Sequence, residues 1–198
     1  MFFNIVAASD ARGDQTSRNV GKSVQSKTIL LALGANVVGR WGRPRESLKR
    51  ALSELQNHGV LIIGVSNYYT TEPLSDTPQP RYLNAVVSAQ THLAPGTLLR
   101  HLKQLERRAG RRATRTGSQR PLDIDILDYG GRRISWPVRR RERSRLILPH
   151  PEMHARAFVL VPLRDVAPHW RHPVFGLQVN RLLAQLAPAA RADVRRNP

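Results

Sequence analysis

Two carboxylates lie two residues apart in the segment Leu122-Asp-Ile-Asp-Ile126. Because side chains alternate between the two faces of a β-strand, Leu122, Ile124 and Ile126 are expected to face the core, and Asp123 and Asp125 the opposite side. Neighbouring carboxylates repel each other unless a cation lies between them, and hard oxygen ligands suit Mg²⁺. The pair predicts a magnesium site; two ordinary acids on a solvated strand face are the alternative.

An arginine-rich stretch, Gly110-Arg-Arg-Ala-Thr-Arg-Thr-Gly-Ser-Gln-Arg120, directly precedes these carboxylates. One guanidinium group can bind two phosphate oxygens at once, and a metal ion bridges phosphate oxygens in nucleotide sites. The stretch and the Asp pair together predict a Mg²⁺–polyphosphate site. A loop that binds RNA, or that is merely solvated, is the alternative for the arginines alone.

Two further segments carry groups suited to ligand binding. Tyr82 and Asn84 offer an aromatic face and an amide, which suit a flat heterocycle. His150 lies between Pro149 and Pro151, a rigid setting in which a histidine can donate to a phosphate. The alternatives are that Tyr82 packs in the core, that Asn84 caps a strand end and that His150 is a hydrogen-bonded loop histidine.

Hydrophobic periodicity predicts the elements that must position these residues. The order is strand, helix, strand, strand, helix, strand, which is the ferredoxin-like βαββαβ pattern within the α/β (α+β sandwich) class. A strand region over 145–148, a segment over 157–168 and a helix near 178–187 extend this core. The predicted core elements are strands over 28–33, 60–71, 82–91 and 122–129, and helices that start at Pro44 and Pro95 and stop at Gly59 and Gly110.

Composition excludes several classes of protein. The 198 residues suit one domain and include no cysteine, which excludes a disulfide scaffold, a thiolate zinc site and a cysteine nucleophile. No run of 18 apolar residues occurs, so no membrane-spanning helix and a cytoplasmic location are expected. We expect a disordered N-terminal extension over 1–27, a folded domain over 28–187 and a flexible tail over 188–198.

The charge is strongly basic and unevenly distributed. Lys and Arg number 32 against 14 Asp and Glu, a formal net charge of +18. Residues 100–145 alone hold 15 basic and five acidic residues. Such a field attracts polyanions such as nucleic acid or nucleotide phosphates, although solvated surface arginines would give the same count.

Six segments, taken in this order, resemble the 6-hydroxymethyl-7,8-dihydropterin pyrophosphokinase family of folate biosynthesis. The resemblance covers roughly residues 28–186. The segments are Leu31-Ala-Leu-Gly-Ala-Asn36, Tyr69-Thr-Thr-Glu-Pro73, Gln79-Pro-Arg-Tyr-Leu-Asn-Ala85, Leu105-Glu106 with Gly110-Arg111, Arg120-Pro-Leu-Asp-Ile-Asp-Ile-Leu127, and Leu148-Pro-His-Pro151 through Arg156-Ala-Phe158.

The resemblance implies an activity and roles for individual residues. The family transfers pyrophosphate from ATP to the hydroxymethyl group of the reduced pterin and releases AMP. By resemblance, Asp123 and Asp125 hold two Mg²⁺ ions and act in catalysis with Arg111 and Arg120. The implied ATP-binding residues are Glu106, Arg111, Arg120, Arg145, His150 and Arg156, and the implied pterin-binding residues are Thr71, Leu74, Tyr82, Asn84 and Phe158.

Two alternatives stay open at this point. Family members often carry Arg-Trp-Gly-Pro-Arg before the Asp pair, whereas this sequence has Arg115-Thr-Gly-Ser-Gln-Arg120 and an extra basic stretch over 136–143, which would suit a catalytically weakened paralogue. A basic ferredoxin-like domain that binds nucleic acid is the second alternative, but the Asp pair beside the arginines would repel a phosphate backbone. ATP and the pterin are the expected partners, with no membrane partner, and the chain is expected to be a monomer.

Overall fold

The computed structural model describes residues 26–74, 78–112, 119–136 and 146–198. The predicted βαββαβ order is confirmed, with one strand divided in two and additional elements after the core. Proline opens both long helices at a position where its missing N–H is not needed. The elements are β1 (Lys27–Ala35), α1 (Pro44–Asn57), β2 (Val60–Val65), β3 (Tyr68–Thr71), β4 (Tyr82–Thr91), α2 (Pro95–Arg108), β5 (Asp123–Tyr129), a 3₁₀ turn (Met153–Ala155), α3 (Ala157–Val166), α4 (Val179–Gln185), α5 (Pro188–Ala192) and β6 (Arg195–Asn197).

The strands form one antiparallel sheet in the order β5-β1-β4-β3-β6, and β2 pairs with β4 beyond the end of β3. The single strand predicted over 60–71 is therefore two strands, interrupted at Ser66 and Asn67. The Ser66 hydroxyl accepts the N–H of Val86 at 2.9 Å, so a side chain takes the place of a strand carbonyl at the break.

The sheet separates two hydrophobic cores, which makes a three-layer structure. Alternate residues of β1, with Ile29 as one example, pack against the leucine stripes of α1 and α2. Leu30 and Val86 point to the other face and pack against α3 and α4. Among the described residues, no helix combines the length and the apolar character needed to cross a membrane.

A β-bulge changes the alternation of β5. The register against β1 shifts between Leu31, opposite Ile126, and Leu30, opposite Asp128. The strict alternation predicted over 122–129 therefore holds only as far as Leu127. Tyr129 then joins the same core as Ile126, because the extra residue reverses the face on which the later side chains of the strand lie.

The C-terminal residues differ from the predicted flexible tail. Residues 188–192 form α5, and β6 pairs with the outer edge of β3. β6 is rich in arginine and has no alternating apolar residues, so its pairing with β3 cannot be predicted from its local sequence. The strand predicted over 145–148 is also reduced, since Leu148 makes an isolated bridge with Ile134 and residue 145 lies outside the described residues.

Candidate active site

A cavity of about 360 Å³ opens on the α3 side of the sheet, where β1 ends and β4 and β5 begin. The structure brings most of the predicted site residues together around it. Glu106 and Arg111 lie behind one wall, and Arg145 lies outside the described residues. The predicted residues that line the cavity are Thr71, Leu74, Tyr82, Asn84, Arg120, Asp123, Asp125, His150, Arg156 and Phe158.

The Asp pair occupies the strand positions that the sequence predicts. Leu122, Ile124 and Ile126 are buried in the core, and Asp123 and Asp125 line the cavity. Two strand residues of one face are separated by roughly 6–7 Å along the strand, so both carboxylates can contact one ligand. The predicted facing of these side chains is confirmed.

Asp123 is held between two guanidinium groups. Arg111 contacts its Oδ1 and Arg120 its Oδ2. Burial alone would raise the pKa of Asp123, but the positive charges of Arg120 and Arg111 outweigh it and hold the pKa below its ordinary value. The carboxylate therefore stays ionised across the physiological pH range.

A second layer of charges supports this pair from α2. Glu106 is buried; it accepts the N–H of Ile124 at 2.8 Å and contacts Arg111 at 2.7 Å. Lys103 lies 2.7 Å from Glu106 and 3.9 Å from Asp125. Burial raises the pKa of Glu106, and the positive charge of Lys103 offsets part of that effect. The structure thus places Glu106 next to the backbone of β5 rather than on the cavity surface.

His150 is presented to the cavity as a neutral donor. Burial lowers its pKa below the ordinary value, against the opposing effect of Asp125. The N–H of Glu152 donates to its Nδ1 at 3.2 Å, so the neutral ring carries its proton on Nε2. The backbone N–H of His150 donates to the Leu127 carbonyl at 2.8 Å and ties this loop to β5.

The opposite wall is aromatic and amide in character. Asn84 and Thr71 are buried, and the Asn84 amide donates to the Thr71 hydroxyl at 2.9 Å. Phe158 lies on α3, and the central carbon of the Arg156 guanidinium lies 5.5 Å from its ring centroid. Burial raises the pKa of Tyr82, so its phenol stays protonated. This wall can stack on a flat ring and pair with its edge.

Asn36 is a site residue to which sequence reasoning assigned no role. Its Oδ1 accepts the backbone N–H of Arg120 at 2.7 Å, and its Nδ2 donates to Gln79 at 2.9 Å and to the Pro80 carbonyl at 3.1 Å. It thereby joins the end of β1 to both walls. Lys103 was missed as well, although its position three residues before Glu106 places both on one helix face.

Close backbone contacts fix the loop that carries Asn36. A Cβ at Gly39 would lie 2.4 Å from a Pro121 carbon and 2.5 Å from the Ala109 carbonyl oxygen, so only glycine fits there. The N–H of Arg40 donates to that carbonyl at 2.9 Å. The loop after β1 is therefore packed directly against the segments that precede Arg111 and Asp123.

The donor set restricts which metal this site could hold. Within the described ranges, no group of three or more His, Asp or Glu side chains is arranged to hold a metal ion. A cation at Asp123 and Asp125 would take its remaining ligands from water or phosphate, which is the coordination that Mg²⁺ prefers. The site therefore fits a magnesium ion that arrives with a polyphosphate better than a cation enclosed by the protein.

The ferredoxin-like fold and a cavity with one charged wall and one aromatic wall are compatible with a transferase that acts on a phosphate-bearing substrate. A family model described as 7,8-dihydro-6-hydroxymethylpterin-pyrophosphokinase matches residues 30–168. The chain belongs to this pyrophosphokinase family. Its activity is pyrophosphate transfer in folate biosynthesis, with ATP as the co-substrate.

Individual relatives agree with this assignment. The chain is 38% identical over 157 residues to the pyrophosphokinase of Pseudomonas aeruginosa, covering 79% of this chain and 90% of that protein. It is 38% identical over 143 residues to the pyrophosphokinase of Haemophilus influenzae, covering 71% of this chain and 81% of that protein. A mitochondrial folate synthesis bifunctional protein of Arabidopsis thaliana is 38% identical over 151 residues, which are 76% of this chain but 25% of that protein.

Solved structures give the same fold. The crystal structure of wild-type Plasmodium falciparum HPPK-DHPS aligns with a TM-score of 0.61 at 16% identity. The alignment covers 81% of this chain and 45% of the Plasmodium chain. This chain therefore spans less than half of that structure and a quarter of the Arabidopsis protein.

Proposed function

We propose that the cavity performs this transfer with the ATP triphosphate at the Asp and Arg wall and the pterin at the wall of Tyr82, Asn84 and Phe158. The hydroxymethyl oxygen of the pterin attacks the β-phosphorus and its proton passes to solvent, while the bond from that phosphorus to the α–β bridging oxygen breaks and AMP leaves with that oxygen. The observation that carries the proposal is the meeting of an anion-binding wall and an aromatic amide wall in one cavity.

Asp123 and Asp125 are the residues that would hold Mg²⁺, and two ions are expected. The bound metal supplies positive charge and Lewis acidity to the phosphate oxygens. The residues present fit this group, because both carboxylates face the cavity and Asp125 is partly exposed. Arg111 and Arg120 contact Asp123 in this structure, and the phosphate oxygens of a bound nucleotide would give them a second partner.

Arg111 and Arg120 are proposed to stabilise the charge that develops during transfer. Each now pairs with Asp123, and each has a side chain less than a quarter exposed. Negative charge spreads over the equatorial and bridging oxygens as the β-phosphorus moves from one oxygen to the other. The Arg120 guanidinium lines the cavity and is already held in place, so it meets this charge with little reorganisation, which lowers the barrier. Arg111 lies behind the wall on Glu106 and Asp123 and would have to turn towards the phosphates.

His150 and Arg156 supply further contacts to the nucleotide, and Arg145 keeps the same role as an expectation from the sequence. A neutral His150 donates one hydrogen bond to a phosphate oxygen without adding charge. Glu106 is proposed to support ATP binding through Arg111, since it contacts that guanidinium at 2.7 Å. Its buried position favours this support over a direct nucleotide contact.

The pterin is proposed to stack on Phe158 and to pair its edge with Asn84. The hydrogen bond from Asn84 to Thr71 fixes the amide orientation, so its oxygen is the group that accepts from the ring. Tyr82 and Leu74 complete the wall. Asp123 is proposed to orient the attacking hydroxyl by accepting its hydrogen bond, and its lowered pKa keeps it ionised for that role.

The test is AMP formation from Mg-ATP with and without 6-hydroxymethyl-7,8-dihydropterin. AMP that forms only with the pterin supports the proposal. ATP binding without AMP formation points to the weakened paralogue and contradicts the proposed turnover. Monomeric state and cytoplasmic location stay predictions of the sequence, and nucleic-acid binding stays the alternative that the Asp pair disfavours.

A matched pair of variants tests the assignment of the aromatic wall. Phe158→Leu removes the proposed stacking surface and should raise the pterin KM by about tenfold or more with little change in the ATP KM. Phe175→Leu changes an exposed phenylalanine outside the cavity and should leave both KM values unchanged. Equal effects of the two variants would contradict the placement of the pterin.

A further inference from the structure

One carboxylate of the C-terminal segment joins both ends of the connection between β3 and β4. The Oδ2 of Asp193 accepts the backbone N–H of Glu72 at 2.9 Å, and its Oδ1 accepts from Arg81 Nη2 at 3.0 Å. Glu72 directly follows β3, and Arg81 directly precedes β4. Arg81 also contacts the Glu72 carboxylate at 3.0 Å, so the three residues close the connection at its base.

The scaffold holds Asp193 in place independently of this connection. β6 begins two residues later and pairs with β3, with Tyr69 opposite Arg196. Arg45 of α1 donates to the Asn197 side chain and to the Pro198 carbonyl oxygen. The carboxylate is thus anchored by backbone pairing and by a helix.

The clamped connection forms part of only one wall of the cavity. Glu72, Leu74 and Gln79 line the cavity, and the chain then enters β4 at Tyr82. The Asp and Arg wall comes from β5 and its preceding segment, and Asn36 links its Arg120 backbone to Gln79 of the connection. Asp193 contacts Glu72 and Arg81 and not Asn36 or Arg120, so its effect should fall mainly on the pterin side.

We propose that Asp193 is a positioning residue that sets the affinity of this enzyme for its pterin acceptor by fixing the base of the β3–β4 connection. The inference rests on the proposed placement of the pterin. It concerns a residue beyond the family match, which ends at residue 168. Asp193 acts through Glu72 and Arg81 and does not contact the substrate.

Asp193 is expected to affect pterin affinity because it orders the pterin-side wall of the cavity before the substrate binds. A single exposed ion pair contributes little to stability. Here one carboxylate also accepts a backbone N–H, so it fixes two chain ends at once. Without it, the pterin must order Glu72 and Leu74 when it binds, and that ordering lowers its apparent affinity.

The experiment compares steady-state KM values for the pterin and for ATP in the full chain. We expect Asp193→Ala to raise the pterin KM by about tenfold, with the ATP KM and kcat within about twofold of wild type. Asp193→Asn keeps an acceptor for the Glu72 N–H and should show a smaller rise. Arg81→Ala should resemble Asp193→Ala, and the double variant should be no worse than either single variant.

Arg196→Ala is the matched control. This residue lies on β6 and donates to Asn67 at 2.7 Å, away from the connection. Its removal should leave the pterin KM unchanged. A pterin KM in Asp193→Ala within about twofold of wild type, or equal rises in both KM values with a large loss of thermal stability, would overturn the inference.

The Phe158→Leu variant separates this failure from a failure of the proposed function. If Phe158→Leu weakens the pterin and Asp193→Ala does not, only the positioning role is refuted. If neither variant changes the pterin KM, the placement of the pterin is wrong and the inference fails with it.

Discussion

Asp125→Asn should separate catalysis from stability. Among the described residues, Asp125 forms an ion pair with Lys103, with Nζ 3.9 Å from Oδ1, and both side chains are 37% exposed. A pair of this kind contributes at most about 1 kcal/mol. For a chain of this size that corresponds to a change in the melting temperature of no more than about 2–4 °C.

The effect on activity should be far larger, because a neutral amide is a poor magnesium ligand. We expect kcat/KM to fall by at least about 1,000-fold, which corresponds to roughly 4 kcal/mol of transition-state stabilisation. The Mg²⁺ concentration that gives half-maximal rate should rise as well. AMP release measured across a magnesium titration, beside thermal melting, gives both quantities.

Asp165→Ala is the complementary control. The Asp165 carboxylate accepts from the Tyr69 hydroxyl at 2.9 Å and from the Asn67 side chain at 3.0 Å, away from the cavity lining. Its loss should lower the melting temperature and leave kcat/KM nearly unchanged. Asp125→Asn activity within about tenfold of wild type would refute the metal-ligand assignment. A fall of more than about 5 °C in its melting temperature would refute the separation from stability.

The charges and hydrogen bonds of the site and core support three further predictions. Arg120→Ala should lower kcat by about 100-fold or more while the ATP KM changes less than about fivefold, because the contact of Arg120 with the phosphates strengthens in the transition state. If Arg120 only binds ATP, initial-rate kinetics would instead show a raised ATP KM with little change in kcat. Asn36→Ala removes three hydrogen bonds and should lower the free energy of unfolding by about 2–3 kcal/mol, as measured by denaturant melts. Because one of these bonds holds the Arg120 backbone, kcat/KM should fall as well, as measured by steady-state kinetics. Burial, together with the positive charges of His154 and Arg133, lowers the pKa of His172 to about 4. As the pH falls, His172 is protonated in the unfolded chain before it is protonated in the folded chain. Its contribution to the free energy of unfolding is therefore complete above about pH 6.5 and decreases by about 2–3 kcal/mol as the pH falls towards 4. Denaturant melts across this range should show a flatter profile for His172→Gln, and an unchanged profile would contradict the assignment.

The sequence predicts those parts of the fold that local periodicity determines. Leucines at helical spacing after Pro44 and Pro95, and the alternation around Asp123, predict α1, α2 and the first half of β5. The break at Ser66 depends on a hydrogen bond to Val86, and β6 depends on the edge of β3 with which it pairs. Such partners are distant in sequence and leave no local pattern.

The site shows the same division. The spacing of Asp123 and Asp125 and the two prolines around His150 indicate ligand-binding groups without any structure. Asn36 acquires its role only from contacts with residues 43 to 84 positions away. Such a residue is visible in the sequence only as part of a longer motif.

The β-bulge in β5 lies after the two carboxylates that are proposed to hold the metal, so their register against β1 is set by the first half of the strand. Asp123 to Ile126 pair continuously with β1, and the extra residue at Leu127 absorbs the change of face before Asp128. Beyond the bulge, Asp128 and Tyr129 pair again with β1, and Tyr129 is buried with its hydroxyl donating to the Leu93 carbonyl. The strand is therefore fixed to β1 on both sides of the bulge, so a change of face at its second half is achieved without moving the carboxylates of its first half.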